Sequence, residues 1–522
     1  MSLQHIIAST GELVSFCNPS SFPSPNVPGT NISNIIAEPV LNFSGEAPWY
    51  YNFNNPGITV ANATFCNVTV TYDHPGQNDL TAVRAYLPIS SPAWNGRFQA
   101  VGGGGWVAGM GEVSFLQMIG ALGNGYATIT TDASLANPLG EADSWAMVSE
   151  GNVNLYKLQN LASASLRDEA LIGKSLIHSF YGEAPQYSYW SGCSQGGRQG
   201  MQLAQRYPGL YDGIAASAPA VNWAESVAAI FWPQLVINQL LGGTKPADCE
   251  VNRLTALAIE TCDGLDGIVD GIVSDIALCE ETFNAFDYVG TSFTCASTNQ
   301  STSVSRGAAV FANATWQGPR TADGRFLWHG LNIGAPITDA VNVGNRQAIG
   351  AEWLRLFVKK NSTFDVNSMI LDEYEWLFHR GVAEYDSIIG TSDANLREFK
   401  RRNGKLMTFH GLWDQTLPTK ATEDYFDRVS EMTGAEAADF ARLFVVPGLY
   451  HCAGGPGGQP TALFSALTNW VENGTAPDTV PISFIDQNNT TNERILCPHP
   501  SRAVWDGTGP TSKASSFYCT ER

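Results

Sequence analysis

The sequence predicts an α/β protein, a parallel and doubly wound sheet interrupted by one long insertion. Three observations predict it. Short apolar strands alternate with helices between about residues 97 and 217. The alternation lapses after Pro219 and resumes at residues 405–410 and 441–446. A glycine-flanked serine, Ser194, falls between a strand and a helix.

The elements follow in order. The first hundred residues are rich in Pro, Asn and Ser and carry short β-like runs at 58–70 and 80–87, the second closed by Pro88. Residues 98–101 read as a strand entering the run Gly102, Gly103, Gly104, Gly105. Residues 126–131 read as a buried strand ending at Asp132. Leu161, Leu166, Ala170, Leu171 and Ile177 share one face of a helix spanning 155–180. A strand at 187–192, a helix at 198–206 stopped by Pro208, and a strand at 211–217 complete the first stretch. The predicted organisation is a catalytic α/β domain formed by residues 1–221 and 399–522, with an inserted lid at 222–398. Insertions between sheet strands commonly lie over the active-site face.

Charge narrows the function. Against 29 Lys and Arg stand 49 Asp and Glu, a formal charge of −20. An acidic surface repels phosphate, so nucleic acid and anionic membranes are excluded as default partners. The longest apolar stretch, 227–241, contains Pro233, Gln234 and Asn238 and is too short and polar to span a bilayer. The ten cysteines are even in number, spread end to end and free of any CxxC pair. Five disulfides in an oxidising compartment is the simpler reading, with buried free thiols as the alternative. Ten Asn-x-Ser/Thr triplets, at Asn31, Asn42, Asn62, Asn67, Asn299, Asn313, Asn361, Asn473, Asn488 and Asn489, point the same way. The first twelve residues lack the basic and apolar regions of a leader. The expectation is a secreted protein whose natural leader is absent from this chain.

The chemistry centres on Ser194. In Gly192, Cys193, Ser194, Gln195, Gly196, a strand–tight turn–helix holds the serine in a strained backbone, and the flanking glycines relieve crowding. A serine nucleophile needs a base, and the base an orienting carboxylate, here in the chain order Ser, Asp, His. His451 follows one late strand and Asp414 the strand before it. His410 falls inside a strand end and reads as structural. Cys193 precedes Ser194 and Cys452 follows His451, so a disulfide between them would brace the catalytic pair. The oxyanion donors expected are the Gln195 N–H and one from the glycine run, which lacks the Lys-Ser/Thr of a phosphate-binding loop. In the insertion, residues 262–273 gather Asp263, Asp266 and Asp270 with three glycines. Such a loop suits calcium, with carbonyls near Ile268 and Ile272, or is a solvated acidic turn.

These motifs together resemble the tannase and feruloyl esterase family, which includes a mono-hydroxyethyl terephthalate hydrolase branch. The resemblance rests on the stretch 192–200, the Cys193–Ser194 and His451–Cys452 pairs, and the segments 94–98, 211–214, 262–272 and 446–456. It implies an α/β-hydrolase fold with a large inserted lid domain. It implies the triad Ser194, Asp414 and His451, oxyanion donors at Gln195 and Gly105, and the Cys193–Cys452 bridge. It implies a structural calcium held by Asp263, Asp266 and Asp270 with the Ile268 and Ile272 carbonyls. It also implies the pairings Cys17–Cys66, Cys262–Cys279, Cys497–Cys519 and, with them, Cys249–Cys295. The chain departs from the feruloyl pattern at 130–134 and in the glycine run, which bears on substrate and not on mechanism.

The expected function is a secreted serine esterase that cleaves aromatic, feruloyl-type esters of small molecules or plant cell walls. It would work as a monomer or homodimer, with Phe231, Trp232, Trp353 and Trp376 as candidate walls for the aromatic acid. The alternatives are a tannase acting on galloyl esters, a serine peptidase of the same fold, and a silent hydrolase-fold binding protein. The complete Ser, Asp, His set argues against the last.

Overall fold

The computed structural model describes residues 9–135, 140–340, 349–486 and 489–521. The sequon at Asn488 and most of the first twelve residues lie outside them. Nine strands form the main sheet: β1 (Asn31–Ala47), β2 (Ile58–Asp73), β3 (Thr81–Ser90), β4 (Arg97–Val101), β5 (Ala127–Thr131), β6 (Tyr187–Cys193), β7 (Gly213–Ser217), β8 (Lys405–Gly411) and β9 (Ala441–Val446). Their order is β1-β2-β3-β5-β4-β6-β7-β8-β9. The six strands from β5 to β9 are parallel, while β1, β2 and β3 add antiparallel to one edge. The sheet is therefore mixed, which corrects the all-parallel expectation. Strands joined by short turns, as β2 and β3 are, can only pair antiparallel, because a parallel return needs a crossover.

Period-two alternation explains why the parallel strands are apolar throughout. Trp190, Ile214, Ala216 and Leu406 join a core with the helices Ser165–Tyr181 and Gln195–Arg206. Their neighbours Tyr189, Ala215, Met407 and Phe409 join another with the helix Leu463–Asn473. Both faces are covered, as parallel sheets require. The helix read at 155–180 is one run with a π-helical turn at Asn160–Ala164. The stretch 227–241 runs through two helices, Trp223–Ile230 and Trp232–Leu240, and ends just past the second, which has Pro233 in its first turn.

Between β7 and β8 the described residues add no strand to the main sheet. Its apolar side chains, from Trp223 to Ile389, share a core with Trp106, Trp145 and Trp413, which stand on loops of the sheet. All ten cysteines are paired: Cys17–Cys66, Cys193–Cys452, Cys249–Cys295, Cys262–Cys279 and Cys497–Cys519.

A buried charge cluster anchors the antiparallel edge. His74, just after β2, bonds Asp79 through Nδ1 at 2.7 Å and Asp168 through Nε2 at 2.9 Å. The Asp168 bond, with the Asp79 bond and charges, raises the imidazole pKa against the opposing effect of burial. Stabilisation from a raised histidine is fully present below pH about 6.5 and is lost as pH rises through the folded value. Replacing His74 by Gln should cost about 3 kcal/mol at pH 6. The gap to the unsubstituted protein in urea unfolding should then narrow towards pH 9; an equal gap at every pH would contradict this assignment.

Candidate active site

Ser194 links β6 to the helix Gln195–Arg206 with φ 61° and ψ −121°, backbone that side-chain-bearing residues rarely adopt. Residues 188–193 and 195–204 are buried, whereas Ser194 is partly exposed. The turn closes this tightly because its glycines leave no room for more. A Cβ on Gly192 would stand 2.6 Å from the Gly196 carbonyl, and one on Gly102 would stand 2.5 Å from Gly196 Cα.

The loop after β8 carries Asp414 and the loop after β9 carries His451. Asp414 Oδ2 lies 2.7 Å from His451 Nδ1, and Oδ1 accepts the backbone N–H groups of Thr416 and Leu417 at 2.7 and 2.8 Å. Burial alone would raise this carboxyl. The charge of His451 and hydrogen bonds from His410 and His451 overcome it and hold Asp414 well below the usual carboxylate range. His410, read from sequence as structural, donates to the same Oδ2 at 3.0 Å, and its Nδ1 lies 2.8 Å from Thr422 Oγ1. Gln415 Oε1 accepts the His451 N–H at 3.0 Å. Ser194 Oγ makes no hydrogen bond to His451 among the described residues. The Cys193–Cys452 disulfide, with Cα atoms 5.9 Å apart, nevertheless joins the residues next to each. Catalytic hydrogen bonds often tighten only when substrate binds.

Gln195 opens its helix, so its N–H has no intrahelical acceptor. The glycine run packs on that helix: Gly196 N–H donates to Gly103 O at 3.0 Å, and Gln199 Oε1 accepts Gly103 N–H at 3.1 Å. Gly105 has φ 56°, and a Cβ there would meet Ile349 of the insertion at 3.2 Å. Three residues on, the buried Glu352 accepts the Ala142 N–H at 3.0 Å, and burial pushes its carboxyl up to about 8. Arg355 grips Asp143 with its two terminal guanidinium nitrogens, at 2.8 and 2.7 Å. These contacts seat the insertion beside the glycine run, and sequence reasoning missed all of them. Arg198 is fully buried and its pKa is lowered to about 9 by burial and then by Arg206. It donates to Gln195 Oε1 at 2.6 Å and to the Leu161 and Ala162 carbonyls of the π-turn. Its position four residues past Ser194 was the only sequence signal for it.

The four aromatic candidates are scattered. Phe231 and Trp353 are core residues, Trp353 packing on Trp106, Phe357 and Tyr385. Trp232 lines a small cavity of about 70 Å³ that also touches Gln415 and Thr416, next to Asp414. Trp376 is 51% exposed beneath the Arg380 guanidinium. A helical face of mixed polarity explains that placement better than a pocket wall.

In the acidic loop, Asp263 Oδ1 accepts the N–H groups of Asp270, Gly271 and Ile272. Asp270 Oδ2 meets Arg494 at 3.0 Å. Burial, then the charges of Asp270 and Asp263, push Asp266 up to about 6. Among the described residues no three His, Cys, Asp or Glu side chains are grouped as metal ligands. The donor chemistry still fits a hard cation, because the buried Asp263 crowded by the half-buried Asp266 and Asp270 is a charge that such an ion relieves. Ile272 packs on the His451 loop, 3.2 Å from a Cβ placed on Gly448.

The sequence model of the family described as tannase and feruloyl esterase matches residues 66–520. The chain belongs to the tannase and feruloyl esterase family. It is accordingly a carboxylic ester hydrolase with an α/β-hydrolase fold. A probable feruloyl esterase of Arthroderma benhamiae is 36% identical over 96% of this chain and 93% of its own. A tannase of Aspergillus oryzae is 27% identical over 87% of this chain and 84% of its own. The solved tannin acyl hydrolase from Aspergillus niger superposes with a TM-score of 0.86 at 27% identity, covering 99% and 96% of the two chains. Among the described residues no helix is long and apolar enough to cross a membrane.

Proposed function

We propose that this family member is a secreted serine esterase that cleaves esters of hydroxycinnamic acids. The observation that carries the reading is the Asp414–His451 contact of 2.7 Å on a loop disulfide-linked to the strand end bearing Ser194. Ser194 Oγ attacks the ester carbonyl as His451 Nε2 takes its proton. Asp414 holds His451 in the tautomer that makes this possible and stabilises the imidazolium. The N–H groups of Gln195 and Gly105 receive the oxyanion. His451 then protonates the leaving alcohol, and water, activated by the same imidazole, releases the acid from Ser194. The insertion 222–398, seated beside Gly105, acts as the lid. Five disulfides suit an oxidising compartment.

Methyl ferulate, methyl caffeate and methyl gallate, assayed side by side, test the substrate class. The expected order places ferulate and caffeate above gallate. Activity on gallate alone would overturn it in favour of the second reading, a tannase, which the likeness to the Aspergillus niger tannin acyl hydrolase favours.

The acidic loop is read as a calcium site formed by Asp263, Asp266 and Asp270 with the Ile268 and Ile272 carbonyls. When bound, the ion would supply charge neutralisation and stiffness and take no part in the ester chemistry. Chelation should lower Tm by about 3 °C, with recovery on adding calcium but not magnesium. A Tm indifferent to chelator and calcium alike would leave the loop a solvated turn.

A further inference from the structure

We infer that the cleft between the His451 loop and the hairpin Val480–Ile485/Thr491–Leu496 is a sugar subsite, which holds the carbohydrate part of the ester's alcohol and stacks one ring on Trp49. The inference rests on the ester-hydrolase reading and adds where the alcohol side of the substrate is recognised.

Size is the first argument. The cleft is open to solvent and offers about 690 Å³, against about 70 Å³ for the cavity beside Asp414. It falls in the range of roughly 300–1,000 Å³ typical of ligand sites, and a methyl or ethyl alcohol would leave it nearly empty. Its place is the second. Gly454 and Gly455 form one wall, and they continue the chain from His451; three residues reach at most about 11 Å. A hydrogen bond from Tyr450 N–H to Gly454 O, 3.1 Å, draws that wall in further.

Chemistry is the third. Trp49 lines the cleft and is 43% exposed, a large apolar ring presented to solvent. The turn that carries it, Trp49–Asn52, runs into Phe53, which is buried against Cys193 and Cys452. Gln459 Nε2 donates to the carbonyls of both Phe53 and Cys452, at 2.9 and 3.0 Å. The aromatic platform is thus fixed to the same brace as His451. Sugars offer an apolar C–H face that packs on a ring and hydroxyls that need polar partners. Thr461, Ser483 and Glu493 line the cleft and supply both donors and acceptors. Arg494, its one guanidinium, is engaged by Asp270 and lies over Phe484 and Phe517. That leaves no free cation among the described lining residues to hold an anion, so the cleft suits a neutral polyhydroxylated ligand.

The test compares methyl ferulate with a feruloyl ester of an arabinose–xylose trisaccharide. For the unsubstituted protein kcat/KM should favour the trisaccharide ester by about tenfold, and Trp49→Ala should erase most of that preference through KM. Glu493→Gln should reduce it in the same direction. Equal kcat/KM for the two esters, or a preference untouched by both substitutions, would overturn the inference. Calorimetric titration of the unesterified trisaccharide into Ser194→Ala gives an independent reading: binding weakened at least fivefold by adding Trp49→Ala supports the subsite, and no binding, or binding indifferent to Trp49, refutes it. Should neither ester be hydrolysed, the esterase reading fails while this titration still decides the subsite.

Discussion

Replacing Ser194 by alanine should lower kcat/KM on methyl ferulate by at least about 10⁴-fold while leaving the thermal midpoint nearly unchanged. The two halves of this expectation have separate causes. The hydroxyl is the only group at the elbow that can form the acyl-enzyme, and no other hydroxyl shares its place between β6 and the helix Gln195–Arg206. Stability is spared because Ser194 Oγ makes no hydrogen bond among the described residues, and alanine keeps the same backbone at φ 61°. Glycine at this position should be equally inactive yet more stable, since relief of such a backbone is worth about 1–3 kcal/mol. Full activity in Ser194→Ala, measured with active-site titration to exclude contamination, would remove Ser194 from the mechanism.

The second large effect concerns the brace. The double variant Cys193→Ala/Cys452→Ala should lower kcat by about 10–100-fold, because a displacement of about 1 Å at a reacting group is enough for a loss of that size. The bridge closes a sequence separation of 259 residues, the longest of the five. Chain entropy alone assigns such a loop about 5.5 kcal/mol, an upper figure since native-state relaxation lowers it. The double variant is preferred to either single one, because a lone thiol would sit among Phe53 and Ala218 in the same cluster. On methyl ferulate, which has no sugar to engage Trp49, the loss should fall on kcat more than on KM, for the brace holds His451 relative to Ser194. Unchanged kcat in a folded double variant would show that the Asp414 and Gln415 contacts position His451 unaided.

Local signals carried the elbow, and they did so for a physical reason. The strand 187–193, Gly192 crowded against Gly196, and the helix that follows form one continuous stretch, so this part of the turn is local, although Gly102 and Gly103 close on it from the end of β4. The same holds for the end of that helix, Arg206, two residues before Pro208. Of the antiparallel edge, the runs 58–70 and 80–87 were legible as β2 and β3, but β1 was not. In β1, exposed residues interrupt the alternation and the pairing with β2 shifts register near Ile32, Val40 and Phe43. A bulged strand loses the period of two on which sequence reading depends. Trp376 illustrates the same limit on the helix Leu371–Tyr385, where its neighbours Tyr374 and Leu377 turn inward and it turns out.

By itself, the sequence determined the α/β class, the serine at a strand–helix turn and the candidate order Ser194, Asp414, His451. These follow from strand period, glycine crowding and chain order, all of which are local or one-dimensional. Tertiary structure alone decided that Asp414 serves two histidines, that Ile349 and Glu352 stand beside the glycine run, and that Trp49 faces a cleft along the His451 loop. Each of these contacts joins side chains on separate elements, most of them hundreds of residues apart. Only His410 and Asp414 lie close in sequence, and their meeting depends on how the chain leaves β8. Such contacts arise from packing against a common core, and no pattern along the chain records them.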